Sequence, residues 1–189
     1  MYEMGIIYRI GFVDNEIVER LARMLSNVFE NVEFYVGPIL EPPLEAYDWG
    51  RRQYRSELIL EMLKRISKPR TLVLGVAGVD AYADALNFVF GEALLGGGVA
   101  VVYTRRLDPR FYGETWNEEL FFERLLKESM HELGHAIGLE HCTFSNCVMN
   151  FSNSIVEVDA KQAAFCMRCV KRLASIGIRV GQRYHIKIG

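Results

Sequence analysis

The sequence predicts an α/β sandwich: a mixed, twisted sheet of about five strands, a long central helix and a C-terminal helix fastened by metal. Three observations predict it. Short apolar runs rich in β-branched residues alternate early with stretches of helical periodicity. Residues 117–138 form a long amphipathic stretch that carries His131 and His135 in its last two turns. Every cysteine falls late, between Cys142 and Cys169.

The elements follow in order. Ile6 to Val13 is an apolar run and reads as a buried strand. Asp14 is a candidate cap for a helix over 15–29, where Ile17, Val18, Leu21, Leu25, Val28 and Phe29 recur at helical spacing. Val32 to Val36 is a second strand that Gly37-Pro38 should end. Pro42-Pro43 and Trp49-Gly50 mark a loop before a helix over 52–66. Thr71 to Val76 is the third strand, and Ala77 to Leu86 is ambiguous. Asn87 to Ala93 and Gly98 to Tyr103 read as two further strands. After an irregular stretch over 142–156, a last helix from about Asp159 to Ser175 should carry Cys166 and Cys169 near its middle.

A chain of 189 residues, 50% hydrophobic and 24% charged, is expected to form a single domain, 1–189. Within it, 1–138 hold the sheet and early helices, and 139–189 form a cysteine-bearing subdomain. A net charge of −2 and a pI near 6.1 leave no basic footprint for nucleic acid. No apolar run approaches the ~20 residues that span a bilayer, so no membrane partner is expected. Met1 to Val13 lacks a basic lead-in and is interrupted by Arg9, which argues against a signal peptide. The expected setting is the cytoplasm and the expected state a monomer. In a reducing compartment, clustered cysteines favour metal over disulfides.

The stretch from His131 to His141 reads His-Glu-x-x-His-x-x-Gly-x-x-His. On a helix, positions i and i+4 share a face, so His131 and His135 can offer two imidazoles to one metal ion. Glu132, one residue on, can act as general base toward water at that metal. Gly138 can end the helix with positive φ and turn the chain so that His141 closes the site. Three protein ligands leave a fourth position open, which is the arrangement of a catalytic zinc. The cysteines follow as Cys142-x4-Cys147-x18-Cys166-x2-Cys169, a four-thiolate pattern for a structural zinc. His141 and Cys142 are neighbours, and either could approach the first zinc. His141 is favoured because moving Cys142 there would leave the thiolate site with three ligands. Two zinc ions are therefore expected.

Taken together, these motifs and Met149 resemble the archaemetzincins, a branch of the metzincin zinc metalloproteases. Gly78 to Tyr82 and Leu86 to Ala93 resemble that family's strand region. The resemblance implies a peptidase with His131, His135 and His141 on the catalytic zinc, and Glu132 activating water. It also implies Cys142, Cys147, Cys166 and Cys169 on the structural zinc, with Met149 as a hydrophobic floor beneath the first site. Peptide or unfolded polypeptide would bind along an antiparallel edge strand, Asn87 to Ala93. The competing reading is a zinc-stabilised peptide-binding protein with little proteolysis, against which the intact Glu132 argues. A nucleic-acid finger over 142–169 conflicts with the acidic charge balance. His185 has no partner motif and reads as local structure. Among Tyr82, Tyr103 and Tyr112 the sequence singles out no catalytic acid.

Overall fold

The computed structural model describes residues 2–83 and 85–186. Its main sheet has five strands in spatial order β2-β1-β5-β8-β7: β1 Met4–Ile10, β2 Glu33–Leu40, β5 Thr71–Ala77, β7 Gly91–Leu94 and β8 Val99–Tyr103. Four of these run parallel, and β7 pairs antiparallel with β8 at one edge. A small second sheet joins β3 (Tyr47–Asp48), β4 (Gln53–Arg55) and β6 (Ala81–Tyr82). Among the described residues the α-helices are α1 Asn15–Val28, α2 Ser56–Ile66, α3 Glu118–Ile137, α4 Ile155–Ala160 and α5 Met167–Ser175.

The period-two alternation of the strands divides the core into two layers. Leu72, Leu74, Val76, Ala100 and Val102 face α1 and α3, while Val73, Ala77, Val99, Val101 and Tyr103 face α2. Strands β5 and β8 are buried along their whole length, which is why both read as unbroken apolar runs. The result is the expected α/β/α sandwich.

Several boundaries differ from expectation for identifiable reasons. Strand β1 stops at Ile10 because Gly11 turns the chain at φ +67°. Gly37-Pro38 does not end β2, which continues to Leu40. Proline is tolerated there because β2 is an edge strand whose register shifts opposite Ile7–Arg9. The helix expected over 52–66 begins only at Ser56, since residues 53–55 pair as β4. The edge strand starts at Gly91 rather than Asn87.

The single helix expected over 159–175 is two. Ser154 and Glu157 form a reciprocal capping box that starts α4 early. The chain then leaves helical geometry at Lys161 and re-enters at Cys166, the N-cap of α5. Cys166 and Cys169 therefore lie at the start of the last helix, not its middle.

Candidate metal centre

Helix α3 places the first donors. Asn117 caps its N-terminus by accepting from the Leu120 N–H, with Glu118 and Glu119 in the first turn. Its C-terminal carbonyls are held by the β7–β8 turn: Gly96 N–H donates to His135 O and Gly98 N–H to Ala136 O, both at 2.9 Å. Gly138 ends the helix at φ +120°, as its spacing predicted. A helix tied at both ends fixes its last two turns, which carry His131 and His135.

The two imidazoles are oriented from behind. His131 Nδ1 lies 2.8 Å from Val148 O and His135 Nδ1 2.7 Å from Leu139 O. A carbonyl only accepts, so each Nδ1 carries the proton and each Nε2 presents a bare lone pair. These two Nε2 atoms face one another 3.0 Å apart, which is repulsive unless a cation is shared between them. His141 completes the set, its ring centroid 5.3 Å from His131 and 4.6 Å from His135. Donor atoms from the three histidines lie within 4.8 Å of one another. Burial holds all three imidazoles below their ordinary pKa, and the Lys161 ammonium adds to that, which keeps them neutral as ligation requires. The group fits a catalytic zinc.

The loop after α3 turns on Met149. Cys142 N–H donates to Met149 O at 2.8 Å, and Asn150 Nδ2 donates to Cys142 O at 2.8 Å. Met149 is fully buried, with its sulfur so close to Gly134 that a Cβ there would sit 2.4 Å from it. Met149 thus lies under the histidine-bearing turn of α3, as the resemblance implied.

The four cysteines converge as the spacing predicted. Cys142 and Cys166 Sγ are 3.7 Å apart, and Cys147 and Cys169 Sγ are 3.8 Å apart. Disulfides need about 2.05 Å, whereas a tetrahedron with metal–sulfur distances of ~2.3 Å has edges of ~3.8 Å. All four sulfurs lie within 4.8 Å of one another. The Cys169 thiol, and the Cys166 N–H at 3.3 Å, hold Cys147 well below an ordinary thiol pKa. The cluster fits a structural zinc.

Glu132 enters a cleft of about 440 Å³ shared with the three histidines. Its opposite wall is β7 and the segment before it. Gly91 leaves the room: a Cβ there would meet Glu132 Cγ at 2.5 Å and Val101 O at 2.8 Å. Burial first, and Glu128 one turn earlier second, push the Glu132 carboxyl well above its usual range, against the pull of Lys161. The cleft rim is braced from the second sheet, where Gln53 Nε2 donates to Asn87 O at 3.0 Å.

Sequence reasoning missed Gly91, Gly134, Glu128 and Lys161. A lone glycine or a lone charge carries no local pattern; Gly91, Gly134 and Lys161 matter through neighbours distant in sequence, and Glu128 through both Glu132 one turn on and the distant Lys161. The three tyrosines are engaged elsewhere: Tyr82 with Asp48, Tyr103 with Ser56 and Tyr112 with the Arg106 carbonyl. His185 serves local structure, with Nε2 3.0 Å from Val180 O.

The model of peptidase family M54 matches residues 1–175. An archaemetzincin of Methanocaldococcus jannaschii is 44% identical over 174 residues, covering 92% of this chain and 94% of that one. One from Pyrococcus furiosus is 40% identical over 190 residues, covering 97% of each. Among solved structures, the Methanopyrus kandleri archaemetzincin superposes with a TM-score of 0.81 at 37% identity, covering 92% of this chain and 95% of that one. The Archaeoglobus fulgidus archaemetzincin, complexed with malonate, gives 0.77 at 44% identity, covering 89% and 99%. Likeness of this extent, over a fold that brings the two donor groups together, means that the chain belongs to peptidase family M54, the archaemetzincins, and is a zinc metallopeptidase.

Proposed function

We propose that peptide bonds are hydrolysed in the cleft between α3 and β7, with Glu132 as general base and His131, His135 and His141 holding the catalytic zinc. The observation that carries this is the shared wall: Glu132 and all three imidazoles line one cavity with the edge strand β7. Zinc, when bound, supplies a Lewis acid that polarises the scissile carbonyl and acidifies water. The protein's own groups do the rest. Glu132 takes a proton from the attacking water and returns it to the departing amine. Val148 and Leu139 carbonyls keep the two helical imidazoles neutral and aimed. Strand β7 pairs on one side only, so its outer edge offers main-chain groups to an extended peptide.

Cys142, Cys147, Cys166 and Cys169 are assigned to the structural zinc, which fastens the start of α5 beneath the catalytic loop. The chain is read as one unit over 1–189, with 139–189 as its cysteine-bearing part. No described helix is long and apolar enough to cross a membrane. We read the protein as a cytoplasmic monomer that acts on peptides or unfolded segments, and the lack of basic excess argues against nucleic acid as a partner.

Replacing Glu132 with Gln tests the base. Turnover of a fluorogenic peptide should fall by about 10²–10⁴-fold, while zinc content and melting temperature hold. Full activity in that variant would remove Glu132 from the mechanism.

A further inference from the structure

The cleft also carries polar groups to which the hydrolytic step assigns no proton transfer. Lys161 and Glu128 both line it, with side chains only 1% and 4% exposed. Their Nζ and Oε1 form an ion pair at 2.9 Å, and Glu128 Oε1 has no further partner among the described residues. Apart from that pair, Lys161 Nζ has among the described residues a single long hydrogen bond, 3.5 Å to Asn150 O, although an ammonium has three protons to place. Ser152 Oγ, on the same wall, is also buried without a partner among the described residues. These under-bonded polar atoms thus share one cavity with the three histidines, Glu132 and the aromatic rings of Phe88, Phe90 and Phe151. Buried polar groups are nearly always fully hydrogen-bonded, so an unpartnered hydroxyl beside an ion pair with bonding capacity to spare points to a polar occupant.

We propose that the part of the cleft lined by Glu128, Ser152 and Lys161 is a side-chain specificity pocket for a carboxamide, the asparagine or glutamine of a substrate peptide. The inference rests on the cleft being the peptide site. A carboxamide offers one carbonyl and one NH2 group. The carbonyl accepts from Lys161 Nζ and Ser152 Oγ, and the NH2 donates to Glu128. A carboxylate side chain would instead join Glu92, Glu128 and Glu132 on the same walls. An ammonium would oppose Lys161. An apolar side chain would leave the Ser152 hydroxyl unpaired and the spare bonding capacity of the Lys161–Glu128 pair unmet, a situation that sites built to hydrogen-bond reject.

The test is cleavage of a synthetic peptide library by the zinc-loaded protein, with cut sites read by mass spectrometry. The wild type should favour Gln or Asn at one position beside the cut bond over Glu and Leu by at least about tenfold. Lys161→Met combined with Glu128→Met replaces the ion pair with apolar groups of similar size, a change such pairs often tolerate. That variant should lose the carboxamide preference and gain one for Leu or Met. Ser152→Ala removes a hydroxyl that bonds nothing among the described residues, so it should keep the melting temperature and reduce the preference several-fold. A cleavage profile unchanged in Ser152→Ala and in the double variant would overturn the pocket. So would a wild-type profile in which Glu equals Gln. Absence of any cleavage by the wild type would overturn the peptide cleft and the pocket together.

Discussion

Gly91 shows what a single residue decides here. It has no motif, yet it faces the carboxylate on which the proposed chemistry depends. A methyl group at this position would press on two neighbours of different stiffness. Glu132 can rotate away, but the Val101 carbonyl belongs to the central strand β8 and cannot. Gly91→Ala should therefore cost about 1–3 kcal/mol of stability through overpacking. It should also lower kcat/KM by about 10²-fold by displacing Glu132. Denaturant melts and peptide kinetics measured side by side check both; unchanged kinetics would show that Glu132 does not need that space. Gly134 is the counterpart under the imidazoles, where its missing Cβ admits the Met149 sulfur.

Helix α4 is six residues long and too short to persist alone, so its place is set by what holds it. The Ser154–Glu157 capping box supplies the local part. The rest comes from α3, where Arg124 grips Asp159 through two hydrogen bonds of 2.7 and 2.6 Å. Lys127 Nζ donates to the Asp159 carbonyl at 3.1 Å. Arg124 is 3% exposed, so truncating its partner strands a buried guanidinium. Asp159→Ala should destabilise the protein by about 3 kcal/mol, the lower end for a broken buried pair because the Asp159 carboxylate is one-third exposed. Urea unfolding of the variant is the check, and a loss below about 1 kcal/mol would show that the pair does not anchor α4. The same anchoring sets the position of Lys161, the residue that follows α4.

Across the whole molecule, the two donor groups differ in access and in ligand charge. His141 is exposed and its site opens on the cleft, whereas three of the four cysteines are buried. Neutral imidazoles bind zinc less tightly than thiolates do, so graded chelation should remove the ions in two steps. The first step should abolish hydrolysis with a small change in melting temperature. The second should unfold the C-terminal part, since structural zinc contributes apparent binding free energies of about 10–16 kcal/mol in small modules. Elemental analysis and thermal melts across a chelator series follow both steps. Release of both ions in one transition would mean that the sites are a single cooperative unit.

The donor sets were legible in the sequence because their spacing is short and their chemistry unusual. His131 and His135 share a helix face, Gly138 supplies the turn, and the cysteine pairs need little more than proximity. Central strands were legible for the same local reason: burial on both sides leaves Thr71–Ala77 and Val99–Tyr103 almost wholly apolar. Tertiary structure decided the rest. Pro38 could stay within a strand only because β2 lies at the sheet edge. The last helix broke in two because α4 is held by Arg124 and the thiolate cluster claims Cys166 as the cap of α5. Gly91 and Lys161 took their places against Glu132 and Glu128 from contacts between residues far apart in the chain. Periodicity and spacing report what a segment does with its own neighbours; space and charge at a shared wall are set only when distant segments meet.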